Sequence, residues 1–314
     1  MRRRSLTAIP AALMALALPG CDDALRTSLT PPSRPPELAQ PKPVSAQSQE
    51  LARYYSALQS DLLTRGLLRR DGGGPDTPYD ADDLVQHFET VAFYDEYARG
   101  TALGARPNTN AGTLSRWSAP VRIGVEFGAS VPPEMRAQDT ATIDAYTNRL
   151  AQVTKHPITT SGSRPNFHVF IAGTDDSAQI QDRLRQLVPG ISIEELALFQ
   201  NLPRSFYCFV VAVADRNNPH TYARAVALIR AEHPDLFRLS CIHEEIAQGL
   251  GLPNDSPTLR PSIFNDDDEF ALLTSHDEKL LQILYDPRLK PGMTADEARP
   301  VVRVISREIL GAPL

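Results

Sequence analysis

Glu244 and Glu245 are adjacent acids, and Gln248 follows within one helical turn, in the segment CIHEEIAQGLGLPND at residues 241–255. Two carboxylates held close together push one pKa upward, which suits general acid–base work. Glu244 and Gln248 are four apart, so on a helix they share a face that can look into a cleft. Asn254 and Asp255 follow the glycine that breaks the helix and can approach the same face. Against this stands a plain polar helix surface, where acids are common. His243 sits beside the pair, but at about 100° per residue it joins the apolar stripe of Leu236, Leu239, Ile246, Ala247 and Leu250. It reads as a core histidine, since that stripe faces the core. The acids after Asn265, through Glu269, are hard oxygen donors of the kind calcium takes. They lack the spacing and glycine of an EF-hand, and a solvated acidic loop is the competing reading.

The elements around these residues follow from periodicity. Leu51, Tyr54, Tyr55, Leu58 and Leu62 predict a helix over 47–63. The run DGGGP at 71–75 breaks it, and Leu67 to Arg70 reads as a solvated helix end. A second helix starts near Asp80 or Asp82. Val121, Ile123, Val125 and Phe127 alternate with polar or small residues as a half-buried strand does. A helix is expected over about 140–154, a strand over 166–172, and short helices over 182–187 and 193–199. The continuous apolar run 206–213 predicts a central strand, and 223–229 another. A helix over 236–250 ends at Gly251. Thr274 with Asp277 and Thr294 with Glu297 form capping boxes for two closing helices. Residues 99–114 read as loop. The order is helices, a strand-rich middle, then helices, an α+β or α/β arrangement.

The chain has 314 residues, of which 42% are hydrophobic and 22% charged, enough to build a real core. Its formal net charge of -6 argues against nucleic acid or an anionic surface as partner. Arg2 to Arg4 precede an apolar stretch too short to span a bilayer, the pattern of a secretory signal over residues 1–20. The stretch closes on Leu-Pro-Gly-Cys, with Cys21 last, and this resembles a bacterial lipobox, which implies acylation of Cys21. Asp22 resembles an inner-membrane retention signal. Residues 21–46 are proline-rich and predict an extended tether. Cys208 and Cys241 are an even pair in an exported chain, which suggests a disulfide pinning a helix to a strand; two buried thiols are the alternative.

Taken together, residues 235–285 resemble the catalytic half of a matrixin-type metzincin, in which H-E-x-x-H-x-x-G-x-x-H is followed by a Ser-Ile-Met-Tyr-like turn and a helix closing on Leu-Tyr. Here the frame holds Glu244, Gln248 and Asn254 at the three metal-ligand positions and retains only Glu245, the general base. Phe264 stands at the methionine of the turn, and Asp277 and Leu284–Tyr285 match the last helix. A carboxylate and two amides make a poor zinc site, and without zinc nothing brings a water pKa near neutrality. The resemblance therefore implies an α+β, zincin-like mixed sheet with an active-site-type helix, no metal and no cofactor. The same residues, with the lipobox and LKPGM at 289–293, closely resemble a proteobacterial lipoprotein family, domain-of-unknown-function family 2927, over most of residues 80–305.

The expected organisation is a signal peptide (1–20), a tether (21–46), N-terminal helices packed on the domain (47–100) and a metzincin-like domain (115–314). The expected role is a pseudoenzyme-like envelope lipoprotein on the periplasmic face, anchored through its lipid, with the inner membrane favoured. Its cleft, formed by Glu244, Gln248, Asn254 and Asp255, would bind a peptide or envelope protein. The alternative is a hydrolase of peptide or peptidoglycan that uses Glu245, with or without a non-standard metal site.

Overall fold

Alternation of apolar and polar residues in 121–127 becomes strand β1 (Val121–Phe127), with Val121 and Ile123 fully buried. The computed structural model describes residues 44–94, 111–188, 190–193, 196–197 and 202–313. Cys21, the signal segment, most of the tether, residues 95–110 and most of the short helix expected at 193–199 lie outside them.

β1 joins β2 (Ile158–Thr160), β3 (Phe167–Ala172), β4 (Cys208–Ala214) and β5 (Tyr222–Arg230) in one sheet of order β2-β1-β3-β5-β4. The neighbours pair in parallel except β4, which runs antiparallel to β5. The fold is thus α+β around a five-stranded mixed sheet. Strand β4 corrects an expectation: it lies at the sheet's edge, not its centre. Its continuous apolar run has another cause. Val210 and Ala212 pack against the main core, while Phe209 and Val211 belong to a second cluster on the opposite face. A strand covered on both faces reads as unbroken hydrophobic sequence wherever it lies in the sheet.

The helices are α1 (Ala46–Thr64), α2 (Ala81–Phe93), α3 (Pro133–Thr154), α4 (Ser177–Leu187), α5 (Asp235–Gly251), α6 (Ser275–Tyr285) and α7 (Ala295–Leu310). One sheet face, through Ile123, Phe167, Val169, Ala225 and Ala227, meets α2, α3, α5, α6 and α7 in the main core. The other face, through Phe170, Val226 and Leu228, meets Ile180, Leu184 and Leu187 of α4. Helix α3 starts two turns earlier than its apolar pattern predicts. Pro133 at its first position has the preset φ that helix starts tolerate, and the buried residue that follows within two turns, Asp139, is polar and pairs with Arg238, so the first turns carry no apolar periodicity. Residues 67–70 are not a solvated helix end. Leu68 is buried, and Arg69 pairs with Asp71, Asp76 and Glu269.

Two glycines set α5. At Gly249 an added Cβ would overlap the Phe167 ring, so the helix lies directly on the sheet. The Trp117 indole Nε1 donates to the Gly249 carbonyl at 2.8 Å and locks that approach. Gly251 ends the helix at φ +131, a backbone state that side chains rarely adopt. Before the sheet, α1 lays Tyr55 and Leu62 on Phe237 at the start of α5, and the Tyr55 hydroxyl donates to the Arg204 carbonyl at 2.9 Å.

Candidate functional site

The residues that could do chemistry gather where the first residues of β4 meet the middle of α5. Cys208, Glu244, Glu245, Gln248 and Asp255 line a cavity of about 170 Å³ there. Strand β4 supplies one wall and α5 the other. Cys241, Glu244, Glu245 and Gln248 fall at i, i+3, i+4 and i+7 on α5, one continuous helical face. Glu245 and Gln248 are buried, at 3% and 7% exposure, so they form the floor; Glu244 and Asp255 are half-buried at the sides.

Asp255 holds the arrangement. Its Oδ1 accepts from Gln248 Nε2 at 2.7 Å, which fixes the amide in the cleft. Asn254, expected at this corner, is not brought in. Its Nδ2 donates to the Thr90 carbonyl of α2 at 3.0 Å. Pro253 and Asp255 line the cavity, while Asn254 between them is held at α2. Asp255 therefore takes the third corner. The path of this loop is set by its hydrogen bonds, which spacing in the sequence does not reveal. The Ser256 N–H donates to the Phe264 carbonyl at 2.9 Å and ties the loop to the following turn.

That turn is clamped by Asp277, fully buried at the start of α6. Its Oδ1 accepts from Ser262 Oγ at 2.5 Å, and its Oδ2 from the Ile263 and Thr274 N–H groups at 3.0 and 2.8 Å. Phe264 is fully buried in the main core. Asp277 is thus both the reciprocal cap of α6 and the tie that holds the turn.

His243 lies in the core, as its stripe predicts. Its ring stacks on Tyr146 with centroids 4.0 Å apart, and Nδ1 accepts from the Leu273 N–H at 3.2 Å. Burial pushes its pKa down to about 3, so it is a neutral packing group. The acidic run is drawn into structure: Glu269 pairs with Arg69 and Arg260, and the Asn265 amide donates to the Leu259 carbonyl.

Cys208 and Cys241 are joined, with S–S 2.04 Å and Cα atoms 5.9 Å apart, and pin β4 to α5. Cys208 Sγ and one carboxylate oxygen each of Glu244 and Glu245 lie within 4.8 Å of one another. In the bridged state that sulfur is not a thiolate. What remains for a cation is two carboxylates beside an amide, a set that does not fit tetrahedral zinc. The cleft can instead offer hydrogen-bond acceptors and a strand edge to a ligand lying along it.

Comparison with known proteins gives one match. The family described as a protein of unknown function (DUF2927) covers residues 81–304, from the first turn of α2 to the middle of α7. No curated protein and no solved structure matches the chain. Because the matched span takes in the sheet, α5 with its cleft residues, and the Asp277 clamp, the chain belongs to the DUF2927 family.

Proposed function

We propose that this chain is an envelope lipoprotein whose domain is a metzincin-like fold turned from hydrolysis to peptide binding. The carrying observation is the position of the cleft: Glu244, Gln248 and Asp255 gather at the mouth of the antiparallel edge strand β4. An extended peptide laid along β4 would add a sixth strand, gaining main-chain hydrogen bonds, with alternate side chains entering the cleft. A mixed sheet with an antiparallel edge, a helix ended by Gly251, and a clamped Ser262–Phe264 turn support the metzincin reading. The exchange of imidazoles for a carboxylate and an amide supports the loss of zinc hydrolysis.

The anchored location rests on Cys21 and the proline-rich stretch. Helix α1 begins directly after that stretch, capped by Ser45, whose own N–H donates to Asp175 at 2.9 Å. The inner membrane is favoured over the outer one, from Asp22. A Cys21→Ser chain would move from the detergent phase to the aqueous phase on temperature-induced phase separation.

The binding test is amide hydrogen exchange on the full chain with a library of extended peptides. Bound peptide should slow exchange across 208–214. A peptide that binds without protecting any β4 amide would overturn strand addition. The hydrolase alternative rests on Glu245 lining the cleft. It requires turnover of a peptide or peptidoglycan fragment that Glu245→Gln abolishes without shifting the melting temperature.

A further inference from the structure

The disulfide is part of the cleft wall. Cys208 lines the cavity and is half-buried, within reach of a solution thiol; Cys241 is only 3% exposed. The pair stands over Glu244 and Glu245, and Cys241 shares their helical face. The Cys208 sulfur and the two carboxylates already lie within 4.8 Å of one another. Donors around one tetrahedral zinc, at about 2.3 Å for sulfur and about 2.0–2.2 Å for oxygen, stand roughly 3.6 Å apart. Closing those three donors from the observed spacing needs about 1 Å, while the Cys241 sulfur, bonded to that of Cys208 in the bridge, must swing away to a fourth corner; rotation about a few side-chain bonds supplies both movements.

We propose that opening the Cys208–Cys241 bridge converts the cleft into a site for a thiophilic divalent cation, zinc in the first place, held by both thiolates and by the Glu244 and Glu245 carboxylates. The step balances as ordinary thiol–disulfide exchange. A thiolate of an external dithiol attacks the accessible Cys208 sulfur, the S–S bond breaks, and Cys241 leaves as thiolate. The dithiol's second thiol resolves the mixed disulfide and departs as an oxidised disulfide. Two electrons and two protons have then passed to the chain, and zinc displaces two protons from the thiols as it binds. The bridge is thus a redox gate: closed, the cleft presents a strand edge and acceptors; open, it presents the sulfur donors that the closed set lacks. This inference rests on the reading of the cleft as the working site, but not on peptide being its ligand.

The test uses the full chain and metal alone, with no peptide. The protein is reduced with a phosphine, which leaves no competing thiol, desalted without oxygen, and titrated with cobalt(II) and then zinc. The reduced chain should take up one equivalent of cobalt with a sulfur-to-metal charge-transfer band, lose that band to zinc, and release two protons per metal. The bridged chain should show no such band. Glu244→Gln with Glu245→Gln should weaken cobalt binding by about tenfold or more, and C208A/C241A should abolish the band. A reduced chain that gives no charge-transfer band overturns the proposal, as does metal uptake that is equal in bridged and reduced protein or indifferent to the two glutamates. Should reduction alone unfold the domain, zinc must restore its far-ultraviolet circular dichroism; failure to do so also overturns it. Peptide protection of β4 is read separately on the bridged chain, so the failure of either reading leaves the other standing.

Discussion

Asp277 joins the 262–264 turn, the Thr274 cap and α6, and its removal has a calculable cost. In Asp277→Ala, the Ile263 and Thr274 N–H groups and the Ser262 hydroxyl lose their acceptor in a place with no solvent exposure. Each buried donor left unsatisfied costs about 1–3 kcal/mol. Relaxation recovers part of the sum, so a loss of about 4 kcal/mol is expected. Asp277→Asn keeps one oxygen for the two backbone donors and turns an NH₂ group towards Ser262 Oγ, which can accept. Its cost should be about 1–2 kcal/mol. Urea denaturation read by fluorescence and circular dichroism measures both. The Asn variant should also keep the cleft, because the Ser256 to Phe264 hydrogen bond that places Asp255 depends on the turn. An Ala variant within 1 kcal/mol of the parent, or an Asn variant as damaged as Ala, would refute the view that the carboxylate's accepted bonds carry the effect.

Two further outcomes are expected. Burial lowers the pKa of His233 and His243 to about 3 each, and of His87, which also faces His276, to about 4. These lie below the unfolded value, so the unfolded chain binds more protons and stability falls as pH drops below about 6.5. His233 and His243 together bring the slope towards about 2.7 kcal/mol per pH unit by pH 4.5, with a smaller addition from His87; urea midpoints that do not move between pH 6.5 and 4.5 would contradict it. Asp255→Ala should raise the Kd of a cleft peptide by about tenfold, the equivalent of about 1.4 kcal/mol, by releasing Gln248. Asn254→Ala should leave that Kd within about twofold and lower stability by about 1 kcal/mol; equal effects on binding would place both residues in the cleft.

Much of the scaffold was legible because its signals are local. The capping boxes at Thr274 and Thr294, the apolar stripe containing His243, and the paired cysteines each appear as expected. The misses were set by distant partners. Strand β4 read as central because contacts on both faces made it apolar, and sequence cannot distinguish a covered edge from a middle. The resemblance puts Asn254 at the third ligand position, yet a hydrogen bond to Thr90, 164 residues away, turns it to α2, and Asp255 lines the cleft instead. Strand β2 has only three residues, of which only Ile158 is buried, too little for any periodicity. The first turns of α3 were silent for a related reason: their buried side chain, Asp139, is polar.

The contact at Gly249 has a wider consequence. A helix seated by its bare backbone on an aromatic ring, and held by an indole, takes its height and rotation from atoms beneath it. The cleft side chains one turn away face the cavity and lie outside that contact. Exchanging those side chains therefore leaves the contact that seats the helix in place. A lineage could abandon one chemistry and try another without having to rebuild its fold.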